Sequence, residues 1–361
     1  MNLEKLRQRL DQVDSELLLL AKERQDIVGQ IGAVKIAQGV PTRDYERERE
    51  VLKSAGDRAR AIGLEPELAE SIMQVLIRSS LTRQEETRVK SVTSGEGKRA
   101  LVIGGCGKMG AWFVRFLVSQ AYGVTVADPT APDGLADAVR DWRTLELDHD
   151  VIVVAAPIEI TATILAELAT RRPRGLVLDI GSLKTPLRAG LTRLADAGCR
   201  VTSIHPMFGP DTRLLSGRHV IFCDVGNKAA LAEARELFSA TMAERTDMSL
   251  DEHDRLIAYV LGLSHALNLV FFTALAESGE LVPRLQRMSS TTFDAQLKVA
   301  SLVAHENPHL YFEIQRLNDY GYTAIEALRA AVEKIQGLIA RGDEAGFVRL
   351  MESGRHYLEK R

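Results

Sequence analysis

A glycine-rich turn, Gly104–Gly110, joins a short apolar strand to an amphipathic helix in the middle of the chain. Three of its glycines have the spacing G-x-G-x-x-G, namely Gly105, Gly107 and Gly110. Alone the spacing is weak evidence, because glycine turns between strands and helices are common. Here an acidic residue, Asp128, ends the next apolar strand, 23 positions beyond Gly105. Strand, turn, helix and acid in that order predict a dinucleotide-binding βαβ unit.

The cofactor expected in this unit is NAD. Glycines let the backbone approach a pyrophosphate, and the start of the helix, at Lys108 and Met109, offers it free N–H groups and a positive dipole end. Asp128 is expected to accept hydrogen bonds from the adenosine ribose. Its carboxylate would repel a 2′-phosphate, and no arginine lies immediately beside it, so NAD is favoured over NADP.

Short β-branched runs continue beyond the turn and alternate with helical stretches. The strand segments read ALVIG, VTVAD, VIVVAAP, LVLDIGS and VTSIHP. This alternation predicts an α/β Rossmann domain with a parallel, doubly wound sheet over residues 99–249. Strand patterning disappears after Leu250, so residues 250–361 are predicted to form an all-helical substrate and dimerisation domain, with a break at Asn307-Pro308.

A different pattern occupies the front of the chain. From Leu3 to Val34 apolar residues recur at alternating steps of three and four, which predicts one long helix that ends near Gly39 and needs a partner helix. Helices are also expected over 44–62 and 66–88. Residues 1–90 are therefore predicted to form an all-α domain, and 91–98, which are small and polar, a linker. The predicted fold class is multidomain.

The apolar stripe of the first helix is interrupted by Arg24. A buried unpaired charge is costly, so Arg24 should find a carboxylate or await an anionic ligand. Lys35, about three turns further, projects to nearly the same face. Arg7 lies 17 residues before Arg24, about 25 Å along the helix, and shares the site only if a second chain runs antiparallel. Two chains are therefore expected to combine as a homodimer.

Composition restricts the partners and the location. The formal net charge of −3 gives no electrostatic footprint for nucleic acid or an anionic membrane. No signal-peptide pattern begins the chain, and no apolar run was expected to approach a membrane span, so a cytoplasmic enzyme of small molecules is predicted. Three scattered cysteines suggest neither disulfides nor a metal site, and no metal is expected.

Two strand ends offer catalytic side chains. Oxidation of an alcohol by a nicotinamide needs a base near the hydroxyl, and the carboxyl ends of parallel strands are the expected place. His205, in the motif HPMFGP, is the predicted base because imidazole titrates near neutral pH. Ser182, in the motif DIGSLK at the neighbouring strand end, is predicted to hold the imidazole ring.

These motifs carry a family resemblance over essentially the whole chain. The turn GGxGxMG with DxGSxK and HPMFGP resembles prephenate dehydrogenases, and the front domain resembles the all-helical class of chorismate mutase. Together they resemble the bifunctional chorismate mutase–prephenate dehydrogenases of tyrosine biosynthesis. The resemblance implies rearrangement of chorismate to prephenate, followed by NAD-dependent oxidative decarboxylation to 4-hydroxyphenylpyruvate.

The resemblance also implies residue roles. In the mutase, Arg7 of a partner chain and Arg24 would hold the carboxylates, while Lys35 and Gln84 would hydrogen-bond the ether oxygen. The other matched positions are Asp44, Arg47, Glu48 and Ser80, with Ser79 as the alternative to Ser80. In the dehydrogenase the family places an arginine on a C-terminal helix. Tyr320 aligns there, and Arg316, one turn earlier and expected on the same helix face, is the substitute.

Three alternatives stay open on the sequence. The dehydrogenase could oxidise arogenate, in which an amine replaces the keto group. The front helices could be only a dimerisation arm, since lysine plus arginine and aspartate plus glutamate each number 16 over residues 1–90. The third alternative is a regulatory protein that binds NAD without turnover. The intact base at His205 argues against that one.

Overall fold

A computed structural model describes residues 2–92, 94–134 and 136–360. Thr93 of the predicted linker, and Met1 and Arg361 at the outer ends of the predicted terminal domains, lie outside the described residues. The chain divides into two compact units. One comprises Met1–Ala156, Glu167–Ile180 and Arg193–Asp247, and the other comprises Pro157–Ala166, Gly181–Thr192 and Met248–Arg361.

Three helices form the front of the chain, as expected. They are α1 Leu3–Ala37, α2 Tyr45–Ile62 and α3 Pro66–Ser91. Asn2 and Asp44 cap α1 and α2 with their side chains, and a left-handed Gly63 ends α2. Much of the apolar stripe of α1 is exposed within one chain, with Leu10 at 59%. That exposure is what a helix awaiting a partner is expected to have.

The middle of the chain is a sheet with helices between its strands. The strands are β1 Arg99–Ile103, β2 Gly123–Ala127, β3 Ala138–Val139, β4 Val151–Val154, β5 Leu176–Asp179, β6 Val201–Pro206, β7 His219–Asp224 and β8 Glu244–Ser249. The intervening helices are α4 Lys108–Ser119, α5 Ile158–Arg171, α6 Arg188–Asp196 and α7 Lys228–Glu236, with short 3-10 turns at Trp142–Thr144 and Thr185–Leu187.

The strand order is β3-β2-β1-β4-β5-β6-β7-β8. Strands β1 to β6 pair in parallel, which confirms the predicted doubly wound sheet. The order reverses between β1 and β4, and this switch point is where such sheets bind ligands. Strands β3, β7 and β8 were not predicted. Strand β7 pairs antiparallel with β6 and sets Ile221 opposite His205.

The hydrophobic core of this unit extends into the front helices. Trp112, Phe113 and Phe116 of α4 pack with Phe238 in one buried aromatic cluster. Val89 near the end of α3 belongs to the same core. The polar residues after α3 are held as well, because the Gly95 N–H donates to the carbonyl of Gln120 (3.0 Å). The front helices and the sheet therefore share one core.

The C-terminal part is helical, as expected. Its helices are α8 Leu250–Ile257, α9 Ser264–Glu277, α10 Val282–Gln286, α11 Thr291–Ala304, α12 Pro308–Leu317, α13 Gly321–Ala340 and α14 Glu344–Glu359, with a π-helical segment, Ala258–Leu263, between α8 and α9. Asn307 caps α12 at the predicted break.

One expectation about this part was wrong. Arg316 and Tyr320 do not share a helix, because α12 ends at Leu317 and Tyr320 is the residue before α13. The cause is Asn318, whose backbone is extended. Its side chain is taken up by two bonds, from Nδ2 to the carbonyl of Asp254 (2.9 Å) and from the Tyr320 N–H to Oδ1 (2.9 Å).

A second expectation also needs correction. The continuous helical stretch Leu250–Glu277 has 28 residues and is long and apolar enough, by length and composition, to cross a membrane. The prediction that no apolar run approaches a membrane span was therefore wrong by this criterion. One helix of this kind is weak evidence for a span, because core helices have the same length and composition. The first two turns of this helix contain the fully buried polar residues His253 and Asp254.

Candidate active sites

A cavity of about 370 Å³ lies among α1, α2 and α3. Its lining contains every mutase residue predicted from the sequence except Arg7: Arg24, Lys35, Asp44, Arg47, Glu48, Ser80 and Gln84. Ser80 is buried in the lining while Ser79 is exposed, which favours Ser80 over its alternative. Residues 60 positions apart in sequence thus meet at one cavity of ligand size.

The two predicted anion-binding cations are held by neutral partners. Arg24 donates from Nη1 to Ser80 Oγ (2.7 Å) and to the carbonyl of Leu76 (3.2 Å), and Lys35 Nζ donates to the carbonyl of Thr42 (2.8 Å). Among the described residues neither cation has a carboxylate partner. Burial lowers the pKa of the Arg24 guanidinium. Oriented, half-buried and not neutralised, both charges can receive an anionic ligand.

The carboxylates of the cavity, in contrast, are already engaged. Asp44 caps α2 by accepting from the Arg47 N–H (3.0 Å). Glu48 accepts two bonds from Arg43, from Nε to Oε1 and from Nη2 to Oε2, both 2.9 Å. The Gln84 side chain is buried, and its Oε1 has no hydrogen-bond partner among the described residues. A buried amide oxygen without a partner is costly, which is consistent with a ligand group at this point.

Arg7 is not brought to this cavity. It is exposed on the first turns of α1, beside the exposed apolar residues Leu6 and Leu10. Within one chain the structure therefore assembles seven of the eight predicted mutase residues. The predicted contribution of Arg7 from a second chain stays a prediction.

The glycine turn between β1 and α4 has the close packing that a dinucleotide site needs. A Cβ on Gly110 would lie 2.0 Å from the carbonyl oxygen of Gly104, and one on Gly105 would lie 2.8 Å from a Val126 methyl. Gly107 precedes α4 without a side-chain cap. The first N–H groups of α4, at Lys108 and Met109, can therefore serve an anion.

Asp128 follows β2 at the edge of the same turn. Its Oδ2 accepts from the Cys106 N–H (3.1 Å), while its Oδ1 accepts from the N–H (2.9 Å) and the hydroxyl (2.6 Å) of Thr130. These bonds fix the carboxylate beside the turn, where the fold presents it to a ribose. The residues predicted to bind the cofactor are thus collected at the switch point of the sheet.

The predicted base, His205, is buried at 5% exposure near the end of β6. Its strand is hydrogen-bonded to β5 on one side and β7 on the other, so its backbone is firmly placed. Ser182 is half-buried in the segment that follows β5 in the chain. The role of Ser182 toward His205 stays a prediction.

Sequence reasoning missed the group that holds the Ser182 segment. Asp254 is fully buried and accepts the Lys184 N–H (2.8 Å), the Thr185 N–H and the Thr185 hydroxyl, with His253 Nδ1 at 2.7 Å from its Oδ1. Burial alone would raise the pKa of Asp254, but the hydrogen bonds from His253 and Thr185 outweigh it and lower the pKa. The signal available in the sequence was a charged residue, Asp254, within an apolar helical run.

The predicted substrate cation, Arg316, already has partners within the chain. It pairs with Glu159 of α5, and its guanidinium lies 5.7 Å from the ring centroid of Phe312. Its charge is therefore partly neutralised.

A buried histidine lies in the same helical unit. Tyr311 of α12 stacks on His265, with ring centroids 3.9 Å apart. Burial lowers the pKa of His265 to about 4.

Glu85, the neighbour of Gln84, ties α3 to the sheet. It is 3% exposed and accepts backbone N–H groups from Leu215 (2.7 Å) and from Met242. Burial raises the pKa of Glu85, although both backbone bonds act to lower it. A cavity of about 560 Å³ beside this contact, between α3 and α4, is larger than the cavity among α1, α2 and α3, but its lining contains none of the predicted site residues.

Three protein families match successive parts of the chain. Residues 6–85 match chorismate mutase type II, residues 126–246 match the nucleotide-binding domain of prephenate dehydrogenase, and residues 249–353 match its dimerization domain. The first match covers the helices around the cavity. The second match begins at residue 126, after the glycine turn. The interpretation of the turn as a dinucleotide site therefore depends on its geometry and not on a family match.

Relatives and solved structures agree with this division. The T-protein of Enterobacter agglomerans is 28% identical over 95% of this chain and 89% of its own length. The 4-amino-4-deoxyprephenate dehydrogenase of Streptomyces pristinaespiralis is 30% identical over 72% of this chain and 91% of its own. A prephenate dehydrogenase from A. aeolicus, solved with hydroxyphenyl propionate and NAD+, has the same fold over 73% of this chain and 98% of its own (TM-score 0.56, 21% identity). The chain belongs to the family of bifunctional chorismate mutase–prephenate dehydrogenases of tyrosine biosynthesis.

Proposed function

We propose that chorismate rearranges to prephenate in the cavity among α1, α2 and α3, and that the same chain then oxidises prephenate with NAD, using His205 as the base. The observation that carries the proposal is the convergence of seven predicted residues on one cavity. A dimerisation arm would not need Arg24 and Lys35 both directed into a cavity without carboxylate partners.

The rearrangement breaks the ether C–O bond and forms a C–C bond within one molecule, so it needs no acid, base or covalent partner. It needs a compact substrate conformer and donors where negative charge develops. Arg24 would hold a carboxylate, and Lys35 and Gln84 would hydrogen-bond the ether oxygen. The hydrogen bonds to Ser80 and Thr42 fix the two cations before the substrate arrives.

A second chain would complete the mutase site. Arg7 is about 25 Å from Arg24 along α1, so only a helix from another chain, running antiparallel, can bring it to the cavity. The exposed leucines of the first turns, Leu3 and Leu6 among them, supply an apolar surface for that contact. The homodimer is supported further by the match to a dimerization domain.

In the dehydrogenase, the glycine turn and the start of α4 would hold the NAD pyrophosphate, and Asp128 would hold the ribose. The carboxylate of Asp128 disfavours a 2′-phosphate, which supports NAD over NADP. Bound there, NAD would supply the hydride acceptor for the carbon that bears the ring hydroxyl. His205 would accept the hydroxyl proton as the bond to carbon dioxide breaks, and Ser182 would orient the imidazole. Arg316 as the cation for the substrate and a cytoplasmic location stay predictions.

A coupled assay tests both activities in one vessel. Purified protein receives chorismate and NAD, and both chorismate loss and NADH formation are followed. We expect both to proceed. Prephenate and arogenate supplied separately identify the substrate that is oxidised, and NADP replaces NAD in a parallel sample.

Each failure has a distinct meaning. Loss of chorismate without NADH contradicts the dehydrogenase assignment, and NADH from prephenate with chorismate untouched reduces the front helices to a dimerisation arm. Reaction of neither leaves only a nucleotide-binding fold.

A second candidate follows from the Streptomyces relative. That protein is named for 4-amino-4-deoxyprephenate, and its identity of 30% slightly exceeds the 28% of the T-protein. The candidate is the same pair of reactions on substrates with a ring amine in place of the ring hydroxyl. Supplying the 4-amino-4-deoxy analogue of chorismate alongside chorismate distinguishes the two.

A further inference from the structure

Arg43 stands behind the mutase cavity and has no role in the functions assigned so far. It lies just before α2, and its guanidinium makes both of the bonds to Glu48 and a third, from Nη1, to Ser216 Oγ (2.6 Å). Its Cζ also lies 4.2 Å from the ring centroid of Tyr45. The hydrogen bonds to Glu48 raise the pKa of Arg43. Three residues, Glu48, Ser216 and Tyr45, therefore hold the Arg43 guanidinium.

The contact with Glu48 changes the charge that the cavity offers to a ligand. The lining has three cations, Arg24, Lys35 and Arg47, of which Arg47 pairs with Glu50, and two carboxylates, Asp44 and Glu48. Arg43 takes up both oxygens of Glu48 in a bidentate pair, which is the strongest common form of charge-assisted bond.

The other carboxylate, Asp44, is exposed and accepts the Arg47 N–H at the start of α2. Glu48 is the half-buried carboxylate of the lining, and Arg43 already pairs with it. A desolvated cation on the ligand would therefore meet no half-buried carboxylate that is unpaired among the described lining residues.

A ring amine is such a cation. An alkyl amine is mostly protonated near neutral pH, and a desolvated ammonium needs a carboxylate partner to offset the loss of its hydration. A ring hydroxyl is neutral and can donate to, or accept from, groups that are already paired. Discrimination between the two therefore depends on whether Glu48 is occupied.

We propose that Arg43 is a specificity-determining residue of the mutase site: by occupying Glu48 it makes the cavity select a substrate with a ring hydroxyl over the analogue with a ring amine. The inference rests on the proposed mutase function of the cavity and deepens it. Arg43 acts through Glu48 and is a positioning residue, and the bond to Ser216 holds its guanidinium in place.

The test compares kcat/KM for chorismate with kcat/KM for its 4-amino-4-deoxy analogue. We expect the unaltered protein to prefer chorismate by more than about tenfold, which corresponds to about 1.4 kcal/mol of discrimination against the ammonium. In Arg43→Gln the freed Glu48 can pair with the ammonium, so the preference should shrink by about tenfold or more. In Glu48→Gln, which leaves Arg43 charged and unpaired, the preference should grow.

Two variants serve as controls. Arg43→Lys keeps the charge and should keep most of the preference. Arg60→Gln removes an exposed ion pair with Asp57 at the far end of the same helix and should leave the ratio unchanged. NADH formation from prephenate reports that each variant is folded.

An unaltered protein that uses the amine as well as chorismate overturns the inference without any variant, and so does a ratio in Arg43→Gln within about twofold of the original. Absence of any chorismate loss contradicts the mutase assignment instead, so the two failures are distinct.

Discussion

The residues proposed for the mutase line one cavity among three consecutive helices of one compact unit, whereas those proposed for the dehydrogenase are divided between both units. His205 and the proposed cofactor residues belong to one unit, and Arg316 and the Ser182 segment held by Asp254 belong to the other. The mutase reaction needs positioning alone, so a small helical bundle suffices. The oxidation needs several kinds of group, and those proposed for it come from distant positions in the chain.

The largest expected difference between the two activities is in a variant of His205. We expect His205→Asn to lower NADH formation from prephenate by about 10³-fold, since a positioned general base contributes roughly 10² to 10⁴. Chorismate loss, followed in the same sample, should stay within about twofold. A fall in both rates together would mean that the two sites are not separate.

Asp254 tests how far the dehydrogenase depends on buried long-range support. Asp254→Asn replaces the acceptor of four donor groups, on Lys184, Thr185 (two) and His253, by a group that cannot accept from them all. It should lower the free energy of unfolding by about 3 kcal/mol. Urea denaturation followed by circular dichroism measures it. Because the pKa of Asp254 is lowered in the folded state, its contribution is present above the unfolded pKa and is lost as the pH falls through the folded pKa.

Asp251→Asn is the matched control, since Asp251 is exposed and pairs with Arg188. Its effect on the free energy of unfolding should be much smaller than that of Asp254→Asn, because solvent screens the exposed pair. Equal effects of the two variants would contradict the role assigned to Asp254.

For Arg24 we expect a large effect on mutase activity and little loss of stability. Arg24→Met removes a half-buried charge without a carboxylate partner, so the free energy of unfolding should stay the same or rise. Chorismate kcat/KM should fall by about 100-fold, because the cation proposed to hold a substrate carboxylate in the reactive geometry is lost. Arg83→Met, which breaks a partly exposed pair with Asp26 on the same helices, should leave the rate near that of the parent. A mutase that tolerates Arg24→Met would contradict the site.

The smallest expected effect is the contribution of His265 to the pH dependence of stability. Its folded pKa of about 4 lies below the ordinary value of 6.5, so the unfolded chain binds its proton first as the pH falls. Stability should therefore be lost between about pH 6.5 and pH 4, by roughly 2 kcal/mol after allowance for solvent. His265→Phe keeps the stack on Tyr311 and should flatten this part of the profile. An unchanged slope would exclude His265 as its source.

The two regions also differ in what the sequence could predict. The mutase residues came from helical spacing and a family pattern, and helices convert spacing into position reliably. The glycine turn and Asp128 were equally readable, because strand, turn and helix follow one another in the chain. Strand β7 was not predicted, although its segment HVIFCD is rich in apolar and β-branched residues.

The residues that the sequence did not indicate depend on contacts between distant segments. Asp254 meets Lys184 across 70 positions, and Arg43 meets Ser216 across 173. Nothing in local spacing specifies such partners. Tyr320 was misplaced for a related reason: Asn318 ends the helix early because its side chain binds the carbonyl of Asp254, a contact outside its own segment.

The position of Glu85 decides where this chain can be divided. From the sequence, the polar stretch after α3 looks like the natural place to separate the two catalysts. A cut there would leave Glu85 without its donors and Val89 without its core, and would strip the other fragment of the acceptor for Leu215 and Met242. Recombination or engineering that exchanges the mutase must therefore carry the matching surface of the sheet with it. The front helices and the sheet are successive in the chain, but they share one hydrophobic core and should be exchanged together.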